Sequence, residues 1–363
     1  MKQPDINSEP ISAKILSKPW NENHLPRKVL AIRLHALGDV VITLPYLQQL
    51  KNNLPQGSRL DLLIRKETDD IPRNILLFNK VYSIGGGRNY KKQLIHSAFL
   101  LPLLQLNRYD VVIDLQNNIV SKFFRKGLMP KAWAEFDRFS PIPAGERTRL
   151  TIEAAGFQRC EPNSKLVLRD DKASHQLLLA NGWIKNNDLV ILNPAGAFET
   201  RNWPIANYVK FSNLWLQQFP NTQFVITGVG SISTKADFLK SQLGDHLIDL
   251  VNQTSPSQAF AVVNSSKFVL SEDSGLMHMS WVSGIPTLAL FGSTRSDWAR
   301  PLGEHSSFLD SSDLPCGNCM KEICIHSDNR CMKRYTPEKI FEKAIELLNK
   351  IKKSKTNYLA SAE

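Results

Sequence analysis

The chain has 363 residues, 42% of them apolar, and 45 Lys and Arg against 34 Asp and Glu give a formal net charge of +11. This length favours two α/β domains over one, each able to bury a sizeable core. The basic surplus calls for anionic partners, but the Lys and Arg are dispersed and no RNA- or DNA-reading motif stands out, which argues against nucleic acid.

No apolar run approaches the roughly 20 residues that span a bilayer. The longest, Ala98-Phe99-Leu100-Leu101-Pro102-Leu103-Leu104, is short and broken by Pro102. The first 26 residues hold no apolar signal segment and read as a disordered leader. A cytoplasmic location is expected, with contact to the membrane surface. In that compartment the five cysteines read as thiols or metal ligands, not disulfides.

In chain order, Lys28–Arg33 reads as a first strand, Leu34–Asp39 as a turn, and Val40–Leu50 as a helix. Further strands are expected at Leu60–Ile64, Val81–Ile84 and Val111–Leu115, with a helical pattern at Lys91–Gln105. A charged, Asn-rich passage with one helix, His175–Gly182, marks a domain boundary. Beyond it come a strand at Leu189–Leu192, a long loop at Asn193–Trp203 and a helix at Pro204–Phe219. A strand at Phe224–Thr227 ends in Gly228-Val229-Gly230, and a helix follows at Ser257–Asn264. Lys267–Leu270 is a strand, Leu276–Val282 a helix, Thr287–Phe291 a strand, and Pro337–Lys350 a terminal helix. Alternating strands and helices imply parallel sheets covered on both faces. The expected division is 1–26 leader, 27–175 first domain, 176–336 second domain, and 337–363 terminal helix and tail.

Asp273-Ser274-Gly275 falls at a strand-to-helix turn. A helix N-terminus binds phosphate oxygens, Ser274 can cap the helix, and Gly275 permits close approach of a ligand. Asp273 is expected to accept hydrogen bonds from hydroxyls at the strand's carboxyl end. His278, one turn on, either donates to a phosphate or serves as a core histidine. Asp-Ser-Gly alone also fits an ordinary capped helix. Gly38-Asp39 in the first turn places a carboxylate where a general base for an acceptor hydroxyl would stand, with a structural N-cap as the alternative. Gly196 and Ala197 allow close backbone approach, and Arg201 can neutralise a diphosphate. Gly228 belongs to a partial glycine-rich turn near a nucleotide. Cys316-x2-Cys319-x4-Cys324-x6-Cys331 can hold zinc or iron, though the spacing departs from paired C-x2-C sites. With Lys321, Lys333 and Arg334 the same segment can instead form a basic flap over an anionic acceptor. Cys160 reads as a structural thiol.

Taken in order, Gly38-Asp39-Val40 with Leu44-Pro45, Asn193-Pro194-Ala195-Gly196 with Arg201-Asn202-Trp203-Pro204, Asp273-Ser274-Gly275-Leu276-Met277-His278, and Gly284-Ile285-Pro286-Thr287 to Phe291-Gly292-Ser293-Thr294 resemble glycosyltransferase family 9, the lipopolysaccharide heptosyltransferases. The segment ending Cys331-Met332 is also similar to one in several members. The resemblance runs from about Lys28 to the terminal helix. It implies a GT-B fold, two Rossmann-like doubly wound domains facing across a cleft. It implies an inverting transfer of heptose from an ADP-activated donor to inner-core lipopolysaccharide, with no cofactor required. It assigns Asp39 as base, Arg201 (usually Lys) to the diphosphate, and Ser274, Gly275, His278 and Thr254 to the donor. Arg33 and Gly38 fall on the acceptor side. Departures are Gly230-Ser231, where some members carry an acidic residue for the ribose, and Gly196 and Ala197, where some carry hydroxyls. Three alternatives stay open: a same-fold transferase with another donor sugar or a protein acceptor, a sugar-nucleotide epimerase, and a non-catalytic nucleotide-sugar or metal-binding module.

Overall fold

The computed structural model describes residues 14–170 and 172–360. The chain divides into two compact units, Met1–Val167 and Leu168–Glu363, so the division falls ahead of the expected 175/176.

In the first unit the strands are β1 (Ser17–Lys18), β2 (Lys28–Arg33), β3 (Arg59–Arg65), β4 (Lys80–Ile84), β5 (Val111–Asp114) and β6 (Ala132–Glu135). The helices are α1 (Leu37–Asn53), α2 (Asp70–Asn74), α3 (Tyr90–Gln105), α4 (Ile119–Leu128) and α5 (Ala144–Ala154). The sheet order is β1-β6-β5-β2-β3-β4, and every pairing is parallel except β1 with β6. Runs such as Val-Leu-Ala-Ile in β2 and Val-Val-Ile in β5 are buried on both faces, as parallel strands must be. Leu30, Ile32, Leu63, Val112 and Phe124 form the centre of one core. The expectation of a leader over residues 1–26 is corrected here. Residues 1–13 lie outside the described residues, but Ser17 pairs with Ala134 and the Trp20 N–H reaches the Ala155 carbonyl at 2.9 Å.

The second unit has β7 (Asp188–Asn193), β8 (Thr222–Gly228), β9 (Leu247–Val251), β10 (Phe268–Glu272), β11 (Thr287–Leu290) and β12 (Ser306–Leu309). Its helices are α6 (Lys172–Ala180), α7 (Ile205–Gln218), α8 (Ser233–Leu243), α9 (Pro256–Asn264), α10 (Gly275–Val282), α11 (Ser296–Ala299), α12 (Arg330–Lys333) and α13 (Pro337–Ala360). The sheet is all parallel, in the order β12-β11-β10-β7-β8-β9. Helix α13 is part of this unit: Phe341 packs its ring against Phe211 and Trp215 of α7.

Both sheets reverse direction of growth at one point, between β2 and β5 in the first unit and between β7 and β10 in the second. Ligands of doubly wound sheets bind at the carboxyl ends of the strands there.

Candidate active site

In the second unit, Asn193 ends β7 beside Ser271 of β10. Its amide donates to the Ser271 hydroxyl at 2.7 Å and to the Ser274 hydroxyl at 2.6 Å. Ser274 stands at the N-cap position of α10 with extended backbone, but its side chain does not cap the helix. That corrects the expected capping role: the hydroxyl is held by Asn193 instead. The first-turn N–H groups of α10 receive no bond from Ser274, which suits an anion.

Glu272, fully buried at the end of β10, organises the loop that carries Arg201. One carboxylate oxygen accepts the Gly196 N–H at 2.7 Å; the other accepts the Trp203 N–H at 2.7 Å and the Tyr208 hydroxyl at 3.2 Å. Lys235 of α8 closes the same loop from the other side, donating to the Pro194 carbonyl at 2.5 Å and to the Asn202 side chain at 2.6 Å. Burial lifts the Glu272 carboxyl to about 7, although the Lys235 charge and three hydrogen bonds pull the other way. Burial likewise lowers the Lys235 ammonium, with Glu272 opposing it. Gly196 is needed here for close approach. A Cβ on it would stand 2.7 Å from the Arg201 Cβ and 2.9 Å from the Glu272 carboxylate.

Arg201 lies in a single 3₁₀ turn, Glu199–Arg201, within the expected loop. Its guanidinium stacks 4.3 Å over the Phe198 ring and sits 3.3 Å from the Asp273 carboxylate. Its Nε is buried without a hydrogen-bond partner among the described residues. Gly196, Arg201, Asp273 and Ser274 therefore gather at the β7/β10 switch point, joined through Asn193 and Glu272. Ala197 follows in the same loop, exposed, and Gly275 opens α10. Gly228 ends β8, one strand further out, and Thr254 follows β9, two strands out. Gly228 has φ +153°, and the Thr254 hydroxyl bonds that of Thr227 at 2.7 Å. His278 is buried, and its Nδ1 accepts the Trp281 indole N–H at 3.1 Å. A neutral ring so held carries its proton on Nε2.

In the first unit, α1 begins at Leu37 with Ala36 as its cap residue. Gly38 and Asp39 therefore lie inside the first helical turn, not in a preceding loop as expected. The Val40 N–H already bonds the Ala36 carbonyl at 3.1 Å, so the helical pattern starts before the apolar run does. Arg33, buried at the end of β2, donates to Asp39 Oδ1 at 2.9 Å and to the Leu115 carbonyl after β5. It thus ties both strands of the β2/β5 switch point to the carboxylate. His35 bonds the other oxygen of Asp39 through Nδ1. The Asp114 carboxylate, pushed up by burial, folds the turn after β5 by accepting the Gln116 and Asn117 N–H groups. Gln116 in turn accepts the Leu34 N–H at 3.1 Å.

A cavity of about 410 Å³ opens beside this cluster, lined among others by His35, Arg65, Arg88, Tyr90, Gln93 and Arg138. A neighbouring recess adds Lys122 and Lys126 to Arg138. Sequence reasoning passed over His35, Arg65, Arg88 and Arg138. The available signals were positional: Arg65 ends a parallel strand, and Arg88 follows the Gly85-Gly86-Gly87 turn after β4.

The four clustered cysteines are free thiols that line one small cavity of about 20 Å³, together with Thr200, Ser293, His326 and Arg330. Among the described residues, no group of three or more His, Cys, Asp or Glu side chains has the geometry to hold a metal ion. That geometry lends no support to a metal at Cys316, Cys319, Cys324 and Cys331. Instead the segment is stitched beneath the Arg201 turn. Thr200 bonds the Lys321 carbonyl at 2.5 Å, Asn329 bonds the Glu199 carbonyl at 3.1 Å, and the Trp203 indole bonds the Tyr335 carbonyl at 2.7 Å. Arg334 is engaged by Asp313 in a two-bond pair.

The model of "Glycosyltransferase family 9 (heptosyltransferase)" matches residues 144–329, more than half of the chain. The chain belongs to glycosyltransferase family 9. This family 9 member is therefore a glycosyltransferase, as the order of its motifs led one to expect. It is 28% identical to lipooligosaccharide heptosyltransferase 2 of Campylobacter jejuni over 86% of this chain and 95% of that protein. It is 22% identical to lipopolysaccharide heptosyltransferase 1 of Pseudomonas aeruginosa over 82% and 88%. A family 9 glycosyltransferase structure from Veillonella parvula superposes with TM-score 0.75 at 18% identity, covering 90% of this chain and 98% of that one. E. coli heptosyltransferase WaaC, solved with ADP, gives TM-score 0.65 at 18% identity, covering 88% and 99%. These likenesses establish a GT-B fold built of two doubly wound units.

Proposed function

We propose that this family 9 enzyme transfers a heptose, with inversion, from an ADP-activated donor to the inner core of lipopolysaccharide. The observation that carries the reading is the pairing of Arg201 with the uncapped α10 N-terminus at the β7/β10 switch point. A cation and a row of helix N–H groups suit a departing diphosphate, and they act on charge that develops during transfer. Asp273 accepts hydroxyls of the sugar, and the His278 Nε2 donates to phosphate. Thr254 and Gly228 lie on the nucleotide side. E. coli WaaC has been solved with ADP and with ADP-2-deoxy-2-fluoro heptose, which supports the choice of donor.

On the acceptor side, Asp39 is the general base, held by Arg33 and by His35, whose ring reaches the cavity. It takes the hydroxyl proton as that oxygen attacks the anomeric carbon opposite the diphosphate. Arg65, Arg88 and Arg138 supply the charge that a phosphorylated inner-core glycan requires. A lipid-anchored acceptor places the reaction at the inner leaflet of the cytoplasmic membrane. Among the described residues, no helix is long and apolar enough to cross a membrane.

The test is a thermal-shift titration with ADP, UDP, GDP and CMP, free and sugar-linked. A ligand in excess raises the melting temperature by mass action. Stabilisation by ADP, and more by ADP-heptose, is expected. Stabilisation by UDP or GDP alone would overturn the donor while keeping the transferase class.

A further inference from the structure

Helix α3 is apolar on its outer face as well as its inner one, where Leu104 is buried and Leu94, Leu100 and Leu101 pack on the core. Its buried face includes Gln93 and Ser97, with Ser97 bonding the Gln93 carbonyl at 2.7 Å. Its outer face carries Ile95, Ala98, Phe99, Pro102, Leu103 and, one residue past the end, Leu106, all exposed. These positions recur at the three- and four-residue spacings of a helix, with adjacent pairs at 98/99 and 102/103, so they form a single stripe along one side of it. Phe99 is 82% exposed, Leu106 79% and Ile95 58%. Scattered exposed apolar residues are ordinary, but a continuous stripe over three turns marks a surface used by a partner or a membrane.

Helix α4 lies against α3, with Leu101 pressed over Gly127, where a Cβ would stand 2.7 Å from it. The Gln105 amide bonds the Gly127 carbonyl at 2.9 Å, which brings the exposed Met129 alongside the last turn of α3. No Asp or Glu occurs from Ile71 through Tyr109 or from Leu115 through Ala134. Lys91, Lys92, Arg108, Lys122 and Lys126 are exposed on these two helices and their flanks. An apolar stripe rimmed only by cations matches an anionic bilayer: hydrocarbon takes the stripe, and lipid headgroups take the lysines. A second copy of the chain would oppose like charges across the same face.

We infer that the α3 stripe with its Lys91, Lys92, Lys122 and Lys126 rim docks this enzyme on an anionic membrane surface. The inference deepens the proposal of a lipid-anchored acceptor, and Tyr90 and Gln93 at the start of the same helix line the basic cavity beside His35. A glycolipid headgroup could then enter that cavity while its acyl chains stay in the bilayer.

The experiment is flotation with mixed phosphatidylethanolamine–phosphatidylglycerol vesicles, with pure phosphatidylcholine vesicles as control. The wild-type chain should partition onto the anionic vesicles and be released by salt. Phe99→Gln with Leu103→Gln should lower partitioning about tenfold or more. Lys91→Gln with Lys92→Gln should lower it about fivefold per charge removed. All four positions are exposed, so the melting temperature should not move. Transfer to a deacylated, water-soluble acceptor should be unchanged, which separates a failure of docking from a failure of the transferase reading. Wild-type protein that stays off the anionic vesicles, or variants that float as well as wild type, would overturn the inference. So would a wild-type dimer that the Phe99 and Leu103 changes convert to monomer, because a second copy would then cover the stripe.

Discussion

The Glu272 carboxylate accepts the backbone N–H of Trp203 at 2.7 Å, two residues beyond Arg201. Since the same carboxylate also takes the Gly196 N–H, one buried side chain closes both ends of the loop that aims the guanidinium. Glu272→Gln keeps the volume but replaces one acceptor oxygen with a donor, leaving a buried N–H unpaired. The expected cost is about 1–3 kcal/mol of stability, with donor affinity falling alongside it. Gly196→Ala should weaken donor binding with a smaller stability loss, because it displaces Arg201 directly. Calorimetric unfolding and ADP titration of both variants check this. Unaltered ADP binding in both would remove the loop from donor recognition.

The same carboxyl gives the protein a defined pH response. Glu272 sits at about 7 in the folded chain against an ordinary 4.5. Between those values the folded chain holds a proton that the unfolded chain has released. Stability from this group therefore falls as pH rises through the window and levels off above it, by at most about 3 kcal/mol. The melting temperature of wild type should decline relative to Glu272→Gln across that range. A gap between the two proteins that stays constant with pH would show that the carboxyl does not titrate there.

Arg201→Ala should lower kcat by roughly 10²–10³, the effect typical of removing one group that meets developing charge. Arg201→Lys should recover part of it, since charge returns but the planar fork stacked on Phe198 does not. The melting-temperature rise with ADP should shrink in the same order. Equal kcat in wild type and Arg201→Ala would sink the leaving-group role.

Asp39→Ala should abolish measurable transfer while ADP still stabilises the protein, because the residue belongs to the unit that does not carry Arg201. His35→Ala should slow transfer less, by removing one of the bonds that orient the carboxylate. An active Asp39→Ala enzyme would move the base elsewhere, and His35 would be the first residue to test.

Both parallel sheets were legible from short β-branched runs, because strands buried on two faces need unbroken apolar sequence. Four strands were missed: Ser17–Lys18, Ala132–Glu135, Leu247–Val251, whose apolar run is broken by Asp249, and Ser306–Leu309. Ala132–Glu135 is mostly alanine and glutamate in type, and Ser306–Leu309 is a half-buried edge. Of the site, Arg201, Asp273 and Asp39 were visible because they fall at strand ends inside recognisable turns. The Ser274 hydroxyl was misread because its partner, Asn193, lies 81 residues away. Glu272 was passed over for a similar reason: its bonds to Gly196 and Trp203 exist only once β7 and β10 are adjacent. The cysteine spacing suggested ligands, whereas the tertiary bonds of Thr200 and Asn329 turn that segment into a support for the loop above.

The short strand Ser17–Lys18 covers the outer edge of β6, and Trp20 then lies against Gly156, where a Cβ would come within 2.6 Å of its backbone. A chain begun at Lys28 would lose this cover and present β6 with an open row of hydrogen-bonding groups, a template for pairing with other chains. The polar N-terminal stretch thus works as a guard against self-association, and trimming it as dispensable would trade a tidy terminus for aggregation.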